Sequence, residues 1–179
     1  PNITPDKETG IGSWTLKDFD RALRHGTSPD GEHYYPVFPF NSYTKMTDGD
    51  VRDLFAYLRT VEPVKRANVE HDLKWPFGWR WLNWGWKVAF FEPGEIRHVP
   101  GANALVTRGA YIAQALAHCS QCHSPRGLGG AVDTARYLSG NPSGPDGGEV
   151  PNLTPHPSAA VSDWVEIDLI AYFDTGELP

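Results

Sequence analysis

Apolar residues recur at helical spacing in four stretches of this chain. Val51, Leu54, Phe55 and Leu58 stand at i, i+3, i+4 and i+7, one face of a helix. Thr47 and Asp50 ahead of them resemble a capping box, with an acidic residue where Glu or Gln is usual. Thr15 with Asp18 opens a second helix, which places Phe19, Ala22 and Leu23 on one side and stops at Gly26 as a left-handed cap. A third covers about Val165 to Thr175 and stops at Gly176. A fourth leads from Thr107, its expected N-cap, to His118, with Tyr111, Ala115 and Leu116 facing inward. Alternating apolar runs are short and broken by proline. The pattern predicts a mainly α chain of helices joined by long loops.

Two of these helices are copies. Pro1-Asn2-Ile3-Thr4-Pro5 returns as Pro151-Asn152-Leu153-Thr154-Pro155, an offset of 150 residues. At that offset Trp14 meets Trp164, Asp18 meets Asp168, Phe19 meets Leu169, Leu23 meets Phe173 and Gly26 meets Gly176. So many positions in register without a gap predict duplication. One full unit of the repeat spans roughly 100 residues, a normal small-domain size. The expectation is a chain holding the back part of one domain (1–62), a Trp-rich linker (63–106) and the front part of a second domain (107–179). Both domains are then incomplete, and the ends resemble cuts in a longer or processed polypeptide.

Composition narrows the class. The 179 residues carry a net charge of −6 with both signs interspersed, which argues against a nucleic-acid partner. Gly 18 and Pro 16 are high, as in loops wrapped around something other than their own side chains. No run of 18 apolar residues exists to span a membrane as a helix.

Both cysteines fall in Cys119-Ser120-Gln121-Cys122-His123, a C-x-x-C-H motif. Two thiols at this spacing can each add to a haem vinyl group, with the adjacent histidine as an axial iron ligand. Three alternatives compete. A thioredoxin-like dithiol belongs in a βαβ pattern, and no strand pattern frames this one. A structural zinc site needs four ligands, which His118 or His123 would have to complete. A chance match in a disulfide-bonded loop is the third. Haem attachment is the favoured reading, and because it takes place outside the cytoplasm it implies a periplasm-like location.

Met46, the only methionine, is a candidate second iron ligand, with flexible core filler as the alternative. It precedes a helix and follows the loop Tyr34-Tyr35-Pro36-Val37-Phe38-Pro39-Phe40, in which Tyr35 and Pro36 would line a haem edge. A haem held by His and Met is an electron carrier without an open coordination position.

Together these pieces resemble the multi-haem cytochrome c subunits of bacterial periplasmic, membrane-associated dehydrogenases. The resemblance rests on Pro1 to Asp6, Tyr35-Pro36 through Phe40, Tyr43 to Asp48, Trp75-Pro76-Phe77, Gly85 to Phe91, Arg108 to Tyr111, and Cys119 to Arg126, in that order. It implies tandem class I cytochrome c domains. Cys119 and Cys122 would form thioethers to haem c, His123 would be the proximal ligand of the second haem, and Met46 the distal ligand of the first. Two haems are expected in the parent protein. The implied partners are a dehydrogenase catalytic subunit and a membrane quinone or oxidase. The subunit itself would relay electrons without bond-making chemistry. A peroxidase-like haem enzyme with an open axial position is the competing class.

Other residues divide between roles. Trp14 and Trp164 can pack on a haem edge or donate to a propionate, or brace the helix that follows each. Arg126 can pair a propionate or lie exposed. Trp75, Trp79, Trp81, Trp84 and Trp86 crowd into twelve residues of the linker. That segment reads best as glue between domains, with a dehydrogenase-docking face or a peripheral membrane contact over Leu82 to Phe91 as alternatives.

Overall fold

The computed structural model describes residues 1–144 and 147–177. Seven α-helical segments follow in order among them: α1 (Leu16–His25), α2 (Phe40–Tyr43), α3 (Asp48–Leu58), α4 (Trp81–Phe90), α5 (Ala104–Tyr111), α6 (Ser120–His123) and α7 (Glu166–Thr175). α5 runs on into a wider π turn, Ile112–Leu116. The described residues contain no strand, only three isolated antiparallel bridges. The mainly helical expectation holds.

The chain divides into two compact units, Pro1–His118 and Cys119–Pro179. In the first, α1 packs on α2 and α3, and α2 packs on the π turn after α5. Its core joins Ile11, Phe19, Leu23, Met46, Val51, Tyr111 and Ala115. The helix ahead of the cysteine pair therefore contributes its inward residues, Tyr111 and Ala115, to the first unit.

Each helix boundary has a local cause. Thr15 Oγ1 accepts from the Asp18 N–H, and the Asp18 carboxylate accepts from the Thr15 N–H, so α1 starts on a full capping box. Thr47 caps α3 through the Asp50 N–H at 3.1 Å. Gly26 ends α1 at φ 56°, and a Cβ there would lie 2.4 Å from Phe40 Cδ1. Only glycine allows both that backbone and that approach.

One boundary corrects the expectation. Thr107 is not an N-cap. α5 begins at Ala104, and Asn103 caps it by accepting from the Val106 N–H at 2.9 Å. Thr107 lies one turn inside, its hydroxyl bonded to the Asn103 carbonyl at 2.9 Å. Ala104, Leu105 and Val106 are apolar, yet Leu105 and Val106 are exposed, so this first turn adds nothing to the inward face that Tyr111 and Ala115 mark.

The second unit repeats the first unit's backbone devices at the 150-residue offset. Asn2 Oδ1 accepts from the Thr4 N–H at 3.0 Å, and Asn152 Oδ1 from the Thr154 N–H at 2.8 Å. The Trp14 N–H reaches the Ile11 carbonyl at 3.1 Å, and the Trp164 N–H the Val161 carbonyl at 3.3 Å. Asp168 accepts from the Val165 N–H at 2.9 Å, as Asp18 does from Thr15. Gly176 closes α7 at φ 75°. Burial is not repeated. Of the buried hydrophobic residues described, only Ala159 lies in the second unit.

Candidate functional site

The C-x-x-C-H segment is a single tight helical turn. Cys119 stands at the N-cap of α6, and its carbonyl accepts from the Cys122 N–H at 3.3 Å and the His123 N–H at 3.0 Å. Both cysteines are free and half-buried. Burial pushes the Cys119 thiol above its usual range. A redox-active dithiol needs a lowered thiol pKa, so this environment speaks against that alternative.

His123 is held at one nitrogen. Its Nδ1 lies 2.8 Å from the Pro151 carbonyl oxygen. A carbonyl only accepts, so Nδ1 carries the proton and the Nε2 lone pair is left for a metal. The loop that supplies Pro151 is tied back to the motif in several places. The Gly140 N–H donates to the His123 carbonyl at 2.8 Å, and the Leu138 N–H to the fully buried Ser124 Oγ at 2.9 Å. The Leu153 N–H donates to the Leu138 carbonyl at 2.9 Å, and Asn141 pairs with Val150 in both directions.

These residues fit a covalently held haem. Two sulfurs one helical turn apart and an imidazole with Nε2 available make the donor set that thioether attachment and axial ligation require. Several apolar residues of the second unit are also left in the open. Leu128, Ile167, Phe173 and Val165 are all exposed, so a large apolar group would have surface to cover. No group of three or more His, Cys, Asp or Glu suited to a metal ion exists among the described residues, which leaves the zinc alternative without a ligand set.

The other candidates are more dispersed. Arg126 donates to the Gly130 carbonyl at 3.2 Å and to the Gln121 carbonyl and side chain, so it braces the loop after the motif. Trp164 is half-buried against Tyr172, with ring centroids 5.4 Å apart. Trp14 packs at the edge of the first unit's core. Tyr35 and half-buried Pro36 also lie in the first unit, and the Tyr35 hydroxyl donates to the Gly78 carbonyl at 3.3 Å.

Met46 sits in that core, 7% exposed. Its N–H bonds the Tyr43 carbonyl at 3.0 Å, and the Tyr111 hydroxyl accepts from the adjacent Thr47 N–H at 3.0 Å. A cavity of about 1000 Å³ beside it is lined by Arg24, Lys45, Asp50, Glu95 and Arg108 as well as Met46. Ile96, Ala104 and Tyr111 line it too, so its wall mixes charged and apolar groups. Sequence reasoning missed the Pro151 carbonyl, although the recurrence of Pro-Asn at 1 and 151 marks it as a fixed point of the fold.

No family model matches the chain. Individual proteins do. Over its full length the chain is 44% identical to a dihaem c-type cytochrome of Cereibacter sphaeroides, of which it covers 59%. It is homologous to c-type cytochrome subunits. Over 98% of its length it is 42% identical to one of the subunits of nicotinate dehydrogenase from Pseudomonas putida, covering 15% of that protein. It is 38% identical to the cytochrome subunit of fructose dehydrogenase from Gluconobacter japonicus, covering 36% of it. The chain thus spans less than two thirds of each of these relatives.

Proposed function

We propose that this chain is part of an electron-transfer subunit that carries haem c at Cys119 and Cys122 and relays electrons from a partner dehydrogenase. The observation that carries the reading is the His123 Nδ1 contact to Pro151 beside two free, half-buried cysteines. Haem held this way supplies reversible one-electron chemistry. The chain's own part is to hold and orient. Cys119 and Cys122 anchor the group, and His123 faces the iron with Nε2. The Pro151 carbonyl fixes the imidazole's tautomer and makes it a better donor. Support for the partner comes from the relatives, several of which are named as cytochrome subunits of dehydrogenases.

The finer assignments belong to the same proposal. Residues 1–62 and 107–179 belong to tandem class I cytochrome c domains, joined by a linker over 63–106. Met46 is the distal ligand of a first haem, Trp14, Trp164 and Arg126 flank haem edges or propionates, and Tyr35 and Pro36 line the first haem. The protein works in the periplasm and delivers electrons to a quinone or oxidase. A second reading has support for Met46 alone: its place among the buried core residues of the first unit favours core packing.

Spectroelectrochemistry with carbon monoxide tests the function. An electron carrier with two axial protein ligands shows reversible one-electron reduction and no carbon monoxide adduct. An adduct in the native protein would favour the haem-enzyme class instead. Met46→Ala then separates the two readings of that residue: a ligand role predicts a lower potential and a new adduct, and a packing role predicts lost stability with an unchanged spectrum.

A further inference from the structure

α4 grips one residue of the first unit twice. Asn83 and Lys87 stand at i and i+4, so both side chains leave the same face of the helix. Asn83 is buried and donates from Nδ2 to the His33 carbonyl at 3.2 Å. Lys87 Nζ lies 3.0 Å from His33 Nδ1. His33 belongs to the loop after α1, which closes on itself through the Thr27–His33 bridge.

Lys87 also serves α1. Its ammonium donates to the His25 carbonyl and to Thr27 Oγ1 at 2.9 Å, with the Gly26 carbonyl at 3.4 Å. Carbonyls at a helix end lack intrahelical partners and carry the negative end of the helix dipole, so a cation suits them. The Phe40 and Phe91 rings lie 5.5 and 5.7 Å from the same ammonium. Burial lowers the Lys87 pKa, and no carboxylate among the described residues offsets that.

The contact fixes the state of His33. An ammonium only donates, so Nδ1 accepts and the ring's proton sits on Nε2. A protonated ring has no acceptor at Nδ1 and sets a second cation against the first. The charged groups around it are engaged elsewhere. Glu32 is turned to Arg80 at 3.5 Å, Arg21 reaches the Pro29 carbonyl at 2.8 Å, and Arg24 pairs with Asp20 and Asp48. The His25 ring lies edge-on to Phe91, and Asp30 is exposed in the turn. We infer that His33 and Lys87 form an acid-released latch, which holds α4 on the loop after α1 while His33 is neutral and frees it when the ring is protonated. The inference is independent of the haem. Burial, then Lys87, holds the His33 ring below its ordinary range. A lowered folded-state value means the contribution is complete above the unfolded value and is lost as pH falls through the folded one, so the window lies below about pH 6.5.

Hydrogen exchange of the purified holoprotein tests it, read by mass spectrometry near neutrality and at about pH 5 and corrected for the chemical exchange rate. Peptides from α4 should lose protection in acid by about three- to tenfold, the equilibrium equivalent of one lost hydrogen bond. Peptides from α3 should not change. His33→Asn keeps an acceptor near the place of Nδ1 but does not titrate, so it should abolish the loss. NMR of the native protein gives a second readout that needs no variant: the His33 ring should titrate below the ordinary histidine range. Protection of α4 that ignores pH overturns the inference, as does a ring that titrates in or above that range. A loss shared by α3 also overturns it, because that is general acid unfolding, and so does a loss that persists in His33→Asn.

Discussion

α1 and α7 occupy the same place in a repeated unit and have opposite surroundings. Both follow a tryptophan, both begin with an aspartate three residues into the first turn that accepts from the N-cap N–H, and both end on a left-handed glycine. Yet α1 buries Phe19, Ala22 and Leu23, whereas α7 buries nothing. Capping and turn chemistry are local and survive in both copies. Burial needs partners, and α1 has α2 and α3 packed against it. Local devices fix where a helix starts and stops, and tertiary packing supplies most of its stability.

Large-to-small replacement is the strongest way to break the comparison. Phe19→Ala should cost about 3–5 kcal/mol in denaturant unfolding. Its counterpart Leu169→Ala, already 41% exposed, should cost less than about 1 kcal/mol. Equal losses would mean that α7 is covered in solution.

The glycine caps separate strain from crowding. Gly176→Ala meets open space and should cost only the left-handed backbone penalty, about 1–2 kcal/mol. Gly26→Ala adds a collision with the Phe40 ring and should cost about 1–3 kcal/mol more. Thermal unfolding of the two single variants reads the difference.

The N-caps differ by one side chain. Thr15 has a hydroxyl acceptor and Val165 has none. Thr15→Ala should destabilise by about 1 kcal/mol, and Val165→Thr should stabilise α7 by up to about the same amount. Helicity by circular dichroism is the measurement.

Asp50 provides the smallest effect, and it depends on pH. The Tyr111 hydroxyl, then Thr47, hold its carboxyl below the usual carboxylate range. A lowered folded-state pKa means the contribution is present above the unfolded value and disappears as pH falls through the folded one. Solvent screens this largely exposed carboxylate, so Tyr111→Phe should cost less than about 1 kcal/mol near neutrality. The gap to the native protein should close in acid, below about pH 4.

How much is legible in the sequence follows the same division between local and distant. Thr15, Thr47 and Gly26 announce themselves because a cap is written within four residues. The C-x-x-C-H motif is equally local. Asn103 escapes notice because the apolar Leu105 and Val106 after it lie exposed, off the inward face by which the helix is recognised. α4 reads as linker because Trp81, Trp84 and Val88 are exposed while its one buried residue is Asn83, against the ordinary expectation. The Pro151 carbonyl, 28 residues from His123, is a backbone group and leaves no side-chain signature. Met46 reads as a ligand from its place before a helix, and its packing neighbours, such as Phe19 and Tyr111, are too distant in sequence to be read there.

The central claim is a covalent bond between this chain and haem at one place. Proteolytic mapping of the purified protein by mass spectrometry tests it most directly. The account predicts a peptide spanning Cys119 to His123 that carries haem through both sulfurs and loses it when both cysteines are replaced by alanine. The same peptide recovered from native protein with two unmodified thiols, or with a disulfide, would contradict it.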